Sequence, residues 1–460
     1  MRMKCLVLLA ALSCATQGRV LDVEGEGELW AVLVAGSDSW FNYRHQADVC
    51  HAYQILHAHG VPDDHIIVMM TDDIANNKLN PTPGKIINRP NGTDVYHGVP
   101  KDYVGKAVTP QNFLKIITGN ATGLDKVGSG KVLKSGPNDR VFINLVDHGA
   151  PGIFGFPPQP HTPGHYPPLP VLKASAFMDA IKDMHKNNMY KDMVIYLESC
   201  ESGSMFSKIL PKDINVYAVS AANATQPSYA CYMDKTRKTF LGDVFSVKWM
   251  EDTDREDVSK EDLKEQFKIV KKAVTKSEVT EWGTRKIGKQ KVGMYVGEKN
   301  VTLEDSWGPF PPFPPYNDPC LNSSVASPDV PVAILEAHVD EAMAANDEDQ
   351  AQHWKEEITK MNKNRLFVAD VMKNLVLEVT GDAQVAAQII QDEPHEISDW
   401  PCYEGAMETF NNKCFDLGEN PYALSHLQTL VNLCEHGYSS DAVNTAAEKV
   451  CTFPPIMGIH

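Results

Sequence analysis

Positive charge is scarce in this chain: 43 Lys and Arg stand against 60 Asp and Glu, for a formal net charge of −17. Phosphate backbones are held by clustered cations, so the balance argues against a nucleic-acid binder. Beyond the first residues no apolar run approaches the about 20 residues needed to cross a bilayer, and no membrane span is expected. No Cys-x-x-Cys pair has zinc-site spacing, and no Gly-rich phosphate loop is present. Neither a metal nor any other cofactor is therefore expected. The 30 Gly and 30 Pro follow no Gly-x-y period, and no internal repeat is visible. A composition of 43% hydrophobic, 22% charged and 8% aromatic over 460 residues is that of a globular protein with two domains, or one large and one small.

Met1 to Gly18 runs from a basic tip, Arg2 and Lys4, through the apolar stretch Cys5 to Leu12 into the small and polar Ser13, Ala15 and Gly18. That layout is a cleaved signal peptide and places the chain in the secretory pathway. Glycosylation sequons at Asn91, Asn120, Asn300 and Asn322 fit the same route, and Asn223 heads a fifth. Of the eight cysteines outside the signal, Cys402, Cys414, Cys434 and Cys451 crowd into the last sixty residues. In an oxidising compartment such a tail reads as disulfide-stapled, and four cysteines allow three pairings.

Short runs rich in branched apolar residues recur at Leu29–Ala35, Ile66–Met70, Val141–Val146, Met193–Leu197, Ile214–Ser220 and Val292–Val296. Helical patterns lie between them, at Gln46–His59, Leu172–His185, Phe240–Met250 and Leu263–Val274. Alternating strand and helix predicts an α/β fold with a mostly parallel sheet of six strands, whose site lies at the carboxyl ends of the strands. Proline density over Trp307–Pro319 rules out helix or central strand there and predicts a linker. From Val332 onward the apolar period is helical. The domains are therefore expected as a signal peptide (1–18), a sheet domain (19–300), a Pro-rich linker segment (301–346) and a small helical domain (347–460). The last carries 19 acidic against 7 basic residues, a net of −12 out of −17.

Two strand ends carry reactive side chains. Val141–Val146 runs into Asp147-His148-Gly149, and Met193–Leu197 runs into Glu198-Ser199-Cys200-Glu201. A thiol beside an imidazole is activated for attack on a carbonyl, and a helix beginning after Cys200 would favour thiolate through its dipole. Gly149 leaves room for a substrate carbonyl, and the N–H groups of Gly149 and Cys200 could receive an oxyanion. Taken singly, Cys200 could be inert core and His148 an ordinary strand-end residue. The pair at neighbouring strand ends favours catalysis.

These segments, with Phe41-Asn42-Tyr43-Arg44-His45-Gln46-Ala47-Asp48, Ser228-Tyr229-Ala230-Cys231, Leu241-Gly242-Asp243, Val99-Pro100-Lys101-Asp102-Tyr103 and Ser327-Pro328-Asp329-Val330-Pro331, resemble the legumain family, the asparaginyl endopeptidases or vacuolar processing enzymes. The resemblance spans nearly the whole chain after the signal. It implies a caspase-like sheet domain made as a zymogen, with a helical prodomain that inhibits it. It implies Cys200 as nucleophile, His148 as base, Asn42 orienting that base, and Arg44, Glu198, Asp243 and Ser228 holding the substrate. It also implies disulfides Cys402–Cys434 and Cys414–Cys451.

The implied activity is cleavage of protein and peptide substrates after Asn, and after Asp in acid, in a lysosome- or vacuole-like compartment or outside the cell. Cystatin-type inhibitors are expected partners. Acid would detach the carboxylate-rich prodomain, with self-cleavage after Asn346; Asn322 and Asp329 are the alternatives. The same residues could run a peptide ligase, while a non-catalytic secreted binder would need no such constellation. The stretch Pro151–Pro170, with His161 and His165, is longer than the family pattern, Ser199 replaces the usual Ala, and Cys320 is either a free thiol or half of an added disulfide. Asn223 lies near the expected cleft wall, which leaves its glycosylation open.

Overall fold

A computed structural model describes residues 27–159, 169–299 and 318–460. The expected signal peptide, His161, His165, Asn300 and most of the Pro-rich linker lie outside the described residues.

The strands in chain order are β1 (Leu29–Ala35), β2 (Ile66–Met69), β3 (Arg140–Val146), β4 (Gly149–Ala150), β5 (Ile153–Gly155), β6 (Val171–Lys173), β7 (Asp192–Glu198), β8 (Val216–Ser220), β9 (Tyr229–Asp234), β10 (Thr239–Asp243), β11 (Thr280–Gly283) and β12 (Val325–Ala326). The main sheet has six strands in the order β11-β8-β7-β3-β1-β2. All its neighbours pair in parallel except β11, which runs antiparallel to β8. The central strands read as unbroken apolar runs because both faces are covered. Along β1, Ala31, Leu33 and Ala35 enter one core while Trp30, Val32 and Val34 enter the other, the period of two that a pleated strand imposes.

Helices α1 (Tyr43–Ala58), α2 (Pro110–Ile117), α3 (Ala174–Lys186), α4 (Val244–Arg255) and α5 (Leu263–Ala273) cover the two faces. Tyr43, Trp249 and Phe267 belong to the first core, and Phe113 and Phe177 to the second, so α1, α4 and α5 oppose α2 and α3 across the sheet.

Two expectations about elements are corrected. Val292–Val296 is no strand: Gly293–Val296 forms a single turn of helix, α6, in which Val292, Tyr295 and Val296 are buried. That spacing is one helix face rather than alternation. The sixth strand is β11, whose sequence Thr-Glu-Trp-Gly lacks the branched apolar run of a covered strand; Trp282 Nε1 donates to Ser220 Oγ at 2.9 Å. The helices expected from Leu172 and Phe240 start at Ala174 and Val244, because β6 and β10 occupy the preceding residues.

The tail comprises α7 (Pro319–Asn322), α8 (Val330–Ala344), α9 (Glu348–Thr380), α10 (Ala383–Gln391), α11 (Trp400–Lys413), α12 (Leu427–Glu435) and α13 (Ser440–Val450). One apolar cluster built on Val368, Leu375, Met407, Phe410, Leu430 and Val443 joins α9 to α13, and it includes Ala150 and Ile153 of the sheet domain. Disulfides join Cys402 to Cys434 and Cys414 to Cys451. A third joins Cys231 to Cys320, so Cys320 is no free thiol and β9 is tied to the start of the tail. No helix among the described residues is long and apolar enough to cross a membrane.

The Cys402–Cys434 link spans 32 residues. Replacing both cysteines by Ala should lower the stability of the helical tail by about 2–4 kcal/mol. Urea denaturation of the full chain should show the tail transition moving to lower urea; an unmoved transition would mean that the staple adds nothing.

Candidate active site

β3 and β7 pair in parallel with Val146 opposite Glu198. His148 and Cys200 each lie two residues past that pair, so equal registers deliver the imidazole and the thiol to the same edge of the sheet. The N–H of Asp147 donates to the Glu198 carbonyl at 3.0 Å, which carries the pairing one step beyond the strands. β1, on the other side of β3, leads into the turn Trp40–Asn42 before α1, and this brings Asn42 to the same end. His148 Nε2 lies 2.8 Å from Asn42 Oδ1. An amide oxygen only accepts, so Nε2 carries the proton and Nδ1 is left as the acceptor. The Asn42 amide is itself fixed by donating to the Asp38 carbonyl at 2.9 Å.

Gly149 is required by contact: a Cβ there would meet the Cys200 carbonyl oxygen at 2.4 Å and Ser199 Oγ at 2.6 Å. Cys200 Sγ accepts the N–H of Ser228 at 3.3 Å, at the start of β9. The expected helix after Cys200 is absent. Glu201 takes a left-handed conformation, φ 48°, and only a turn of 3-10 helix, Ser202–Met205, follows. A helix dipole therefore contributes little to the thiol.

Glu198, two residues before Cys200, belongs to a buried ionic cluster with Arg44 and Asp243. Arg44, fully buried, donates from Nε to Asp243 Oδ1 at 2.9 Å and from Nη1 to the Phe41 carbonyl at 3.1 Å. Glu198 Oε2 accepts from the Ser246 N–H at 2.8 Å and its hydroxyl at 3.0 Å. Three buried atoms of this trio have no hydrogen-bond partner: Arg44 Nη2, Glu198 Oε1 and Asp243 Oδ2. Sequence reasoning passed over their supports. Asp48, one helical turn after Arg44, accepts the Asp243 N–H at 3.1 Å, and Asn88 donates to its other oxygen at 2.7 Å. His45 lies between Asp147 and Asp243, 3.2 and 3.6 Å away, with its ring against that of His148. The i, i+4 spacing of Arg44 and Asp48 was the available signal.

One guanidinium cannot neutralise so many buried carboxylates. Burial, followed by repulsion from Asp243, raises Asp48 and Glu198 well above their ordinary range. Asp243 is also raised by burial, against the pull of Arg44, and burial lifts Asp147 to about 8. His45 is held neutral by burial, with Arg44 adding to the effect.

The tail closes this edge. β12 pairs antiparallel with β9, Val325 opposite Ala230 and Ala326 opposite Tyr229, and the Ser327 N–H donates to the Ser228 carbonyl at 3.0 Å. The segment thus lies along the cleft as an added strand. Arg365 of α9 clamps it, bonding to the Pro328 carbonyl at 2.6 Å, Asp329 at 3.2 Å and the His460 carbonyl at 2.8 Å. A cavity of about 280 Å³ remains between Cys200, His148, Ser327, Tyr422 and His460. Other contacts pair tail carboxylates with sheet-domain cations. Lys173 meets Glu404 and Glu408, and Lys208 meets Glu396 at 3.1 Å. Under this cover burial raises the Cys200 thiol to about 12 and lowers His148 to about 3, so both are neutral.

Residues 29–298 match the Peptidase C13 family and residues 356–451 match the legumain prodomain. The chain is 44% identical to human legumain over 433 residues, covering 94% of each. The chain belongs to the legumain family of cysteine endopeptidases. Similarity reaches the vacuolar-processing enzyme delta-isozyme of Arabidopsis thaliana, 38% identical over 94% of this chain and 92% of that one. The hemoglobinase of Schistosoma mansoni is 37% identical over 97% of both. Membership of this family sets aside the non-catalytic binder. The structure brings Cys200, His148, Asn42, Gly149 and Ser228 to one cleft, with Arg44, Glu198 and Asp243 clustered below. Asn91, Asn120 and Asn322 are exposed.

A buried neutral thiol reacts slowly with electrophiles. Iodoacetamide at neutral pH should label Cys200 in the intact chain at least about tenfold more slowly than after tail removal. Mass spectrometry of the labelled peptide measures both rates, and equal rates would show that the cover leaves the thiol unprotected.

Proposed function

We propose that the chain is a zymogen that, once freed of its tail, cuts peptide bonds after Asn. The observation that carries this is the set of unpartnered atoms in the pocket: one donor, Arg44 Nη2, and two acceptors, Glu198 Oε1 and Asp243 Oδ2. A carboxamide side chain presents one carbonyl acceptor and an NH2 with two donors, so the two sets match. An Asp carboxylate has no proton to offer those acceptors, and it becomes a substrate only as acid protonates it.

In this reading Cys200 Sγ attacks the carbonyl carbon while His148 Nδ1 takes the thiol proton. The Gly149 and Cys200 N–H groups receive the oxyanion, and His148 returns the proton to the leaving amine. Asn42 fixes the ring through Nε2–H. The carbonyl of Ser228, which now accepts from Ser327, is a backbone anchor for substrate. Water then resolves the thioester; an incoming peptide amine would instead make the enzyme a ligase.

Acid activation would act by weakening the docking contacts, such as those of Lys173 with Glu404 and Glu408 and of Lys208 with Glu396. The working site would be an acidic compartment of the secretory pathway, consistent with relatives named for vacuolar processing. Cystatin-type inhibitors remain the expected partners. Domain limits at 300 and 346 suit this scheme. Asn346, exposed and left-handed with φ 55°, closes α8 and presents a turn between two helices for cutting.

Cys200→Ala should abolish turnover with the fold intact. Peptides differing only in Asn, Gln, Asp or Arg at the cleavage position test specificity. Cutting after Asn is expected at acid and near-neutral pH, and after Asp only towards acid; cutting after Arg or Gln at the rate of Asn would overturn the reading. Product masses separate hydrolysis from ligation.

Terminal sequencing of acid-processed protein should find a new end after Asn346. An intact Asn346–Asp347 bond in fully active enzyme would refute that site.

A further inference from the structure

Outside the residues that line the cleft, three side chains of the prodomain converge on one point. Asp392 follows α10, His395 lies three residues on, and His436 caps the end of α12. Asp392 Oδ2 is 3.0 Å from His395 Nε2 and 2.8 Å from His436 Nε2, and the donor atoms all lie within 4.8 Å of one another. Two of the three residues are separated by 44 positions, which is why no spacing motif marks them in the sequence.

The surroundings hold each group in place. Asp392 Oδ1 accepts the Glu393 N–H at 3.0 Å, which turns Oδ2 toward the two rings. The His395 N–H donates to Asn432 Oδ1 at 3.3 Å, and its carbonyl accepts from Gln428 Nε2 at 2.8 Å. The His436 N–H donates to the Asn432 carbonyl at 3.0 Å, and the Cys402–Cys434 disulfide lies two residues back. The side chains are 30–44% exposed, which leaves one side of the cluster open to solvent.

Two imidazole nitrogens and one carboxylate oxygen, with an open fourth position, form a donor set suited to zinc. Metal–ligand bonds of about 2.0–2.1 Å at tetrahedral angles place ligand atoms about 3.3 Å apart. The two Asp392–His separations, 3.0 and 2.8 Å, need to change by only a few tenths of an ångström, and the two rings, within 4.8 Å of each other, would close further onto the metal. The alternative is an ordinary surface ion cluster, in which both rings donate to the carboxylate.

We propose that Asp392, His395 and His436 bind one zinc ion. The metal would link the connector 392–399 to the end of α12. That connector carries Glu396, which meets Ser207 Oγ at 2.9 Å and Lys208 at 3.1 Å on the sheet domain, and Ile397, which packs over Gly152 with Trp400 at the start of α11. Zinc would therefore stiffen one of the segments by which the prodomain holds the sheet domain.

Calorimetric titration of zinc chloride into the full-length Cys200→Ala zymogen tests this near neutral pH, with no self-cleavage and no nucleophilic thiol to compete. One zinc per chain is expected, with affinity weakened at least about tenfold in His436→Gln and in Asp392→Asn. Both changes are at partly exposed positions, and circular dichroism checks that each variant folds. Hydrogen exchange should slow over 392–399 on adding zinc to the parent alone. Absence of binding at millimolar zinc would overturn the proposal. So would equal binding by parent and variants, which would move the metal to another cluster, such as His45, Asp147 and His148.

Discussion

The parallel pairing of β3 with β7 is the constraint on which the site depends. Because Val146 faces Glu198, the residues that follow leave the sheet in step, and the imidazole and thiol arrive together. A slip of one residue would turn every side chain of one strand to the opposite face and part the pair. The register is protected by burial on both sides: the alternate residues of these strands fill two separate cores, so a slip would mismatch both at once. The same pairing sets Glu198 at the last ladder position, where its carboxyl enters the pocket beneath Cys200.

Buried charge is concentrated around Arg44. Arg44 with Glu198, Asp243, Asp48 and Asp147 makes a poor stabilising ion cluster, since the carboxylates outnumber the cation and each loses hydration. The protein meets that cost with protons, with the Ser246 and Asn88 hydrogen bonds and with the neutral ring of His45. Arg44 Nη2, Glu198 Oε1 and Asp243 Oδ2 remain without hydrogen-bond partners.

The tail covers this edge. It lays β12 along β9, clamps that segment with Arg365 and ties its start to Cys231 through Cys320. Burial then makes both the thiol and the imidazole neutral at the sheet ends. The docking contacts of Glu396, Glu404 and Glu408 with lysines put part of the tail's acidity at the interface.

The sequence by itself determined the α/β alternation, five of the six main strands, the helical tail and the residues at the two decisive strand ends. Those features are local: a covered strand must be an apolar run, and a motif ending such a run must lie at the sheet edge. The sequence did not disclose the edge strand β11, whose place follows from pairing with β8 and from the Trp282–Ser220 bond rather than from hydropathy. Nor did it disclose that no α-helix follows Cys200, because the Glu201 turn is set by contacts such as its N–H to the Gln226 carbonyl at 2.7 Å. The roles of Asp48 and His45, the partner of Cys320 and the meeting of His395 with His436 were likewise decided only by the tertiary structure. Each joins residues distant in the chain, and such a join becomes visible only when packing has closed the distance.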